Sequence, residues 1–236
     1  MDGVKSRIIQ HEPEPEPSAA PEVAAAPPDE DRDAWLRRGF LFVAVAGYIV
    51  LGAVHPADIE VGDETTLYLG LHLVQPFLIL LLAWGTWLLV KGLSGRAAQV
   101  ARVAIVPYAI AYSMLDAIAG VALGEVVRQA EDMSPADAAA VQRLIDGNGT
   151  DYIGIVIFVG SGLAWFVMAL AAALAVKQIG GLGPSVLMTI GAAIFAVGHP
   201  FPPGPIGMAI FGLGLAWLEL RREAAKAPKT QPVLAP

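Results

Sequence analysis

Three histidines and one aspartate, His55, His72, His199 and Asp116, are the residues of this chain best able to do chemistry in a hydrophobic setting. Imidazole nitrogens and a carboxylate are ligands for zinc, copper or iron. Two imidazoles from separate helices are enough to hold a haem. The metal reading takes His72, Asp116 and His199 as ligands, with His55 as a fourth. The chain has no HxxxH or HExxH motif, so spacing alone selects no metal. A structural reading competes with it. His55 and His199, each followed by proline, finish helices, while His72, Gln75 and Asp116 hydrogen-bond between helices.

The neighbours of these groups strengthen the case for a pocket. Tyr108, Tyr112 and Asp116 recur every four residues and form one polar stripe, with Ser113 beside it. A phenol one turn from a carboxylate can donate a hydrogen bond to it, which gives Tyr112 an orienting role. His72 and Gln75 share a face, and Pro76 frees a backbone carbonyl there. Gln75, Tyr112 and Asp116 are therefore the candidate ligand-binding residues, for a metal ion, a haem or a proton-coupled small molecule. No catalytic residue is assigned.

What must position them is a membrane bundle. The hydrophobic fraction is 56%, the mean hydropathy +0.59 and the charged fraction only 16%, well below the quarter expected of a soluble domain. Six apolar blocks, at 39–54, 67–90, 103–123, 152–176, 184–198 and 205–220, are read as spans. The first and the last two are short, about 15 residues or ~23 Å of helix. The last two are read as a tight pair of spans, with a re-entrant hairpin as the alternative. Trp35 and Trp217 are read as interfacial anchors that extend the short helices. At ~1.5 Å per residue, His72 lies ~8 Å below the outer start of its span. Asp116 lies ~9 Å from the outer edge of a core about 30 Å thick. His55 and His199 end their spans on the same side, so all four share one slab.

Charge sets the orientation. Arg37, Arg38, Lys91, Arg96, Arg102, Lys177, Arg221, Arg222, Lys226 and Lys229 fall on one side of the spans. The 55–66 loop has acids and no base, and the 124–151 loop has six acids against Arg128 and Arg143. The positive-inside rule puts both termini in the cytoplasm. Residues 1–34 hold nine acids against three bases, so most of the net charge of −7 belongs to this tail. That acidity argues against nucleic acid as a partner. The Pro/Glu/Ala-rich stretch from His11 to Pro28 is expected to be disordered. With no apolar core near the N-terminus, insertion is expected to rely on the first span. Zero cysteines exclude disulfides, thiolate metal sites and a cysteine nucleophile.

The expected organisation is thus a disordered tail (1–34), a six-span domain (35–222) and a cytoplasmic C-terminal tail (223–236). Within the outer loop, Ser134-Pro135-Ala136-Asp137 starts a short helix that Gly147 can close. Ala138, Val141, Leu144 and Ile145 fall on one face, as expected for an amphipathic helix lying on the outer surface. It could cover the polar end of the bundle as a lid or simply connect two spans.

Gly160-Ser161-Gly162 in span four and His199 resemble the Ser and His of a rhomboid protease, which sit on separate spans. That resemblance implies an intramembrane hydrolase using Ser161. Val159 departs from the Gly-x-Ser pattern, and His199 precedes span six instead of lying in it. Gly and Ser at such places commonly mark close helix packing. A transporter is disfavoured, because the inner half of span two, Leu78 to Val90, has Thr86 as its one polar side chain. The segments His72–Gln75, Asp116–Gly120 and Gly198–Pro205 together resemble uncharacterised bacterial multi-span membrane proteins, over spans two to six. The resemblance implies a bacterial plasma (inner) membrane protein and no particular activity. Whether the chain is an enzyme is left open. Membrane lipids, and another membrane subunit or a second copy of the chain, are the expected partners. A non-catalytic subunit or scaffold is the alternative to the ligand-binding pocket.

Overall fold

Uninterrupted runs of Leu, Ala and Val favour helix, and lipid leaves the backbone no partner except itself. The computed structural model follows that rule and describes residues 28–56, 60–61, 65–148, 152–199 and 202–226. The described elements are helical: α1 (Pro28–Val54), α2 (Thr65–Val90), α3 (Arg96–Leu115), a π-helical segment (Asp116–Ala122), α4 (Leu123–Ala130), α5 (Pro135–Asn148), α6 (Tyr152–Gly180), α7 (Leu182–Gly198) and α8 (Pro203–Lys226). Residues 1–27 of the expected disordered tail and residues 227–236 lie outside the described residues, whereas the tail's last seven residues, 28–34, are helical and form the start of α1.

Five stretches are long and apolar enough to cross a membrane: Asp31–Val54, Thr65–Val90, Arg96–Ala130, Gly154–Gly180 and Pro203–Lys226. Leu182–Gly198 is apolar but shorter, at 17 residues. The chain is a helical, multi-pass membrane protein by this measure. Large apolar side chains cover its outside, among them Phe77 (67% exposed), Val103 (73%) and Leu213 (62%), a surface suited to lipid.

Six long helices close into a ring, in which α1 packs on α2, α2 on α3, α3 on α6, α6 on α7, α7 on α8, and α8 back on α1. Their ends lie beyond the apolar blocks. The helix that holds the first block starts at Pro28, where a missing N–H is harmless, and the one that holds the sixth runs to Lys226. Charged residues continue both helices and pair where α8 meets α1. Arg37 reaches Glu219 at 2.8 Å, and Arg38 reaches it at 2.9 Å.

The short helix α5 is capped as its residues suggest, with the Asp137 amide donating to Ser134 Oγ at 3.3 Å. It runs through Gly147 to Asn148. Its inward face is Ala138, Val141 and Ile145, whereas Leu144 is 77% exposed and leaves the expected apolar stripe. Gln142 on α5 accepts a hydrogen bond from the Val61 amide, tying the helix to the loop that follows His55.

Candidate functional site

The polar residues gather at one end of the ring, and each is placed by a different element. His55 follows the last turn of α1. Its Nδ1–H donates to the Pro56 carbonyl at 2.6 Å, because a carbonyl can only accept. This leaves Nε2 of the neutral ring as a lone pair. Burial, opposed by the Pro56 carbonyl and aided by His72, holds the His55 ring below its ordinary pKa, so it is neutral at pH 7.

His72 lies on α2 and is 7% exposed. Its Nδ1 meets Asp116 Oδ1 at 2.7 Å, and its Nε2 lies 3.2 Å from Nε2 of His55. Asp116 is 1% exposed and opens the π-helical segment. Its second oxygen, Oδ2, is buried with no hydrogen-bond partner among the described residues. The result is a chain from the Pro56 carbonyl through His55 and His72 to Asp116.

Two features hold this chain in register. The Tyr68 hydroxyl donates to the Ala119 carbonyl at 2.5 Å, and its ring lies 4.4 Å from that of His72. Gly120 faces His72 so closely that an added Cβ would stand 2.3 Å from Nδ1 and 2.4 Å from Cγ of the ring. The π segment carries both Asp116 and Gly120. π-helical turns are rare and concentrate at functional sites. The apolar pattern carries no signal for this turn.

Gly120→Ala is therefore expected to push His72 off Asp116 and to destabilise the bundle by roughly 1–3 kcal/mol. Thermal unfolding in detergent checks this. A variant that melts like the parent would show that α2 and the π segment are not in such close contact.

His199 is set apart from this chain. Its Nε2 accepts from the Gln75 amide at a long 3.4 Å, and its ring packs among Tyr48, Tyr112 and Phe195. Gln75 thus belongs to His199 rather than to His72, one turn before it. Tyr112 lies 5.5 Å from the His199 ring, and the free Asp116 Oδ2 shows that the tyrosine does not donate to it. Beside these groups Tyr108, Phe195 and Phe211 pack edge-on or tilted around Trp165 as an aromatic floor. The Trp165 indole donates to the Ala192 carbonyl at 2.9 Å, which satisfies its one polar atom.

Ser161 and His199 both line a groove of about 580 Å³ that opens between α6 and α7. The Ser161 hydroxyl donates to the Phe158 carbonyl of its own helix at 3.0 Å, and the partner of His199 is Gln75. A Cβ on Gly162 would stand 2.8 Å from the Ala196 carbonyl, so close packing accounts for this glycine.

Among the described residues, no group of three or more His, Asp or Glu is gathered tightly enough to hold a metal ion. The geometry explains why. Asp116 binds the Nδ1 side of His72, opposite the nitrogen that faces His55, so it orients the ring instead of sharing a ligand position with it. No family model, curated protein or solved structure matches the chain.

Proposed function

We propose that this chain is a six-span bacterial inner-membrane protein with both termini in the cytoplasm, whose outer pocket holds a cation between His55 and His72. The observation that carries the reading is the facing pair of Nε2 atoms, 3.2 Å apart, on rings whose Nδ1 atoms are both engaged. With Asp116 ionised and both rings neutral, two lone pairs would crowd each other beside a buried negative charge. One positive charge removes the conflict. A proton does so, either between the rings or shifted onto Asp116. A divalent metal ion would do so as well, because two nitrogens held by one ion through bonds of ~2.0–2.1 Å at a tetrahedral angle lie roughly 3.3 Å apart.

The metal form is the working proposal. His55 and His72 would supply two nitrogens, Asp116 would orient His72 from behind, and the other coordination positions would go to a small ligand near Gln75, Tyr112 and His199. A haem suits this pair poorly, because a macrocycle must fit between axial nitrogens that here nearly touch. Two protein ligands and open positions suit binding or activation of a small molecule; neither outcome is assigned.

The test is metal content and visible absorption of full-length protein in mild detergent, followed by Zn²⁺ and Co²⁺ titrations. Near-stoichiometric binding that weakens as pH falls is expected, because the metal displaces the proton held by the three groups. Protein that takes up neither ion at pH 8 would refute the metal form, and a Soret band would replace it with haem. Asp116→Asn is expected to lower metal affinity 10–100-fold, as loss of an orienting carboxylate does elsewhere. An unchanged affinity would remove Asp116 from the site.

A second reading has its own support. His72–Asp116 and Tyr68–Ala119 join α2 to the π segment, as interhelical polar contacts do in membrane subunits. A scaffold of this kind would lose stability on substitution and bind no ion.

A further inference from the structure

The opposite end of the ring carries a second polar constellation, independent of the histidine site. Here one carboxylate, Glu219, is 8% exposed and shared by three guanidinium groups. Arg37 holds it through two nitrogens at 2.8 and 3.1 Å, Arg38 at 2.9 Å and Arg222 at 3.0 Å. Arg38 also pairs with Glu223, and Lys91 pairs with Asp33. Arg222 further donates to the Leu89 carbonyl at 3.4 Å. Arg37, Arg38, Lys91, Arg222, Asp33 and Glu223 border a cleft of about 660 Å³ between the ends of α1, α2 and α8, with Glu219 behind them, and Lys226 adds another base. Among the described residues five bases thus face three acids, so the cleft keeps a positive surplus with its ion pairs formed. Three arginines around one carboxylate also leave guanidinium charge that a single anion cannot neutralise.

The setting of that surplus points to a lipid. Ile179, 45% exposed, lines the same cleft. The lipid-facing Leu220 and Trp217 lie one turn away on α8, with the Arg221 guanidinium 5.3 Å from the Trp217 ring centroid. A tryptophan beside an arginine fits headgroup depth. A polar cleft that passes into an apolar helix surface fits a phosphate on an acyl-bearing molecule better than a free anion.

We infer that the cleft bordered by Arg37, Arg38, Lys91, Arg222 and Lys226 binds the phosphate of an anionic phospholipid from the cytoplasmic leaflet. Arginine forks match phosphate oxygens two at a time, and basic pockets between spans on this side of a membrane hold such headgroups.

Native mass spectrometry of delipidated full-length protein, titrated with phosphatidylglycerol or phosphatidylcholine, tests the assignment. Phosphatidylglycerol is expected to bind at least fivefold more tightly. Lys226→Gln and Arg38→Gln, at exposed or half-exposed positions, are each expected to weaken it by roughly fivefold. Glu223→Gln, which removes a competing acid, is expected to tighten it by a similar factor, and a merely structural cluster would not show that reversal of sign. Equal binding of the two lipids, or no response to Lys226→Gln and Glu223→Gln, would overturn the inference. Displacement of the lipid by millimolar inorganic phosphate would also overturn it, by making a free anion the occupant.

Discussion

His72→Ala is expected to abolish metal binding, with the affinity for Zn²⁺ or Co²⁺ falling at least 100-fold and no recovery at high pH. His72 is the middle link of the polar chain, 3.2 Å from His55 and 2.7 Å from Asp116. Its loss removes a ligand and leaves a carboxylate, 1% exposed, without a partner. Breaking one side of a buried pair destabilises by roughly 3–5 kcal/mol, so a large drop in melting temperature is expected as well. Removing both sides is milder, and His72→Ala with Asp116→Ala should regain much of the stability while still binding no metal. That contrast separates a binding site from interhelical glue. His199→Ala is the matched control. His199 bonds to Gln75 and sits in an aromatic cage, so its loss is expected to change metal affinity by less than threefold. If His199→Ala strips the ion and His72→Ala does not, the wrong histidine has been placed at the centre.

The residues visible in the sequence and the geometry they adopt differ in an instructive way. Apolar blocks announce their helices because lipid and backbone together permit little else, and Ser134 announces α5 by a local hydrogen bond. Such signals need only neighbours along the chain. Helix ends were harder to read. Arg37 and Glu219 are 182 residues apart, and the helices that carry them continue past the hydropathy boundary to where those charges meet. The gathering of His55, His72 and Asp116 at one level could be argued from helical rise alone. Their division of labour could not, since it depends on helix rotation. Asp116 lies behind His72, and His199 turns to Gln75, as no spacing rule states. The π segment was equally hidden. Gly120 is legible as half of a small-residue pair with Gly124, but the ring it faces is visible only in three dimensions.

The second large effect concerns α7, the shortest of the six ring helices. Gly191→Val is expected to disrupt the α7–α8 pair, costing roughly 3 kcal/mol or more. A Cβ at residue 191 would stand 2.4 Å from the Phe211 nitrogen and 2.5 Å from the Gly207 oxygen, and one at residue 207 would stand 2.5 Å from the Phe195 nitrogen. These are backbone atoms of facing helices, so no side chain can rotate away to make room. The close approaches run along the pair, from Gly198 beside Gly204 through Gly191 beside Gly207 to Gly214 beside Met188 and Gly183 beside Trp217. Such an antiparallel register gives α7 a neighbour for its whole length. Gly160→Val supplies the comparison, because nothing lies within 4 Å of the Cβ it would add on the outer face of α6. It is expected to stay within about 0.5 kcal/mol of the parent. Thermal unfolding and membrane yield read both variants. If Gly191→Val were as stable as Gly160→Val, the tight pair would be wrong. The position of His199, which ends α7 and depends on that pair, would then fall with it.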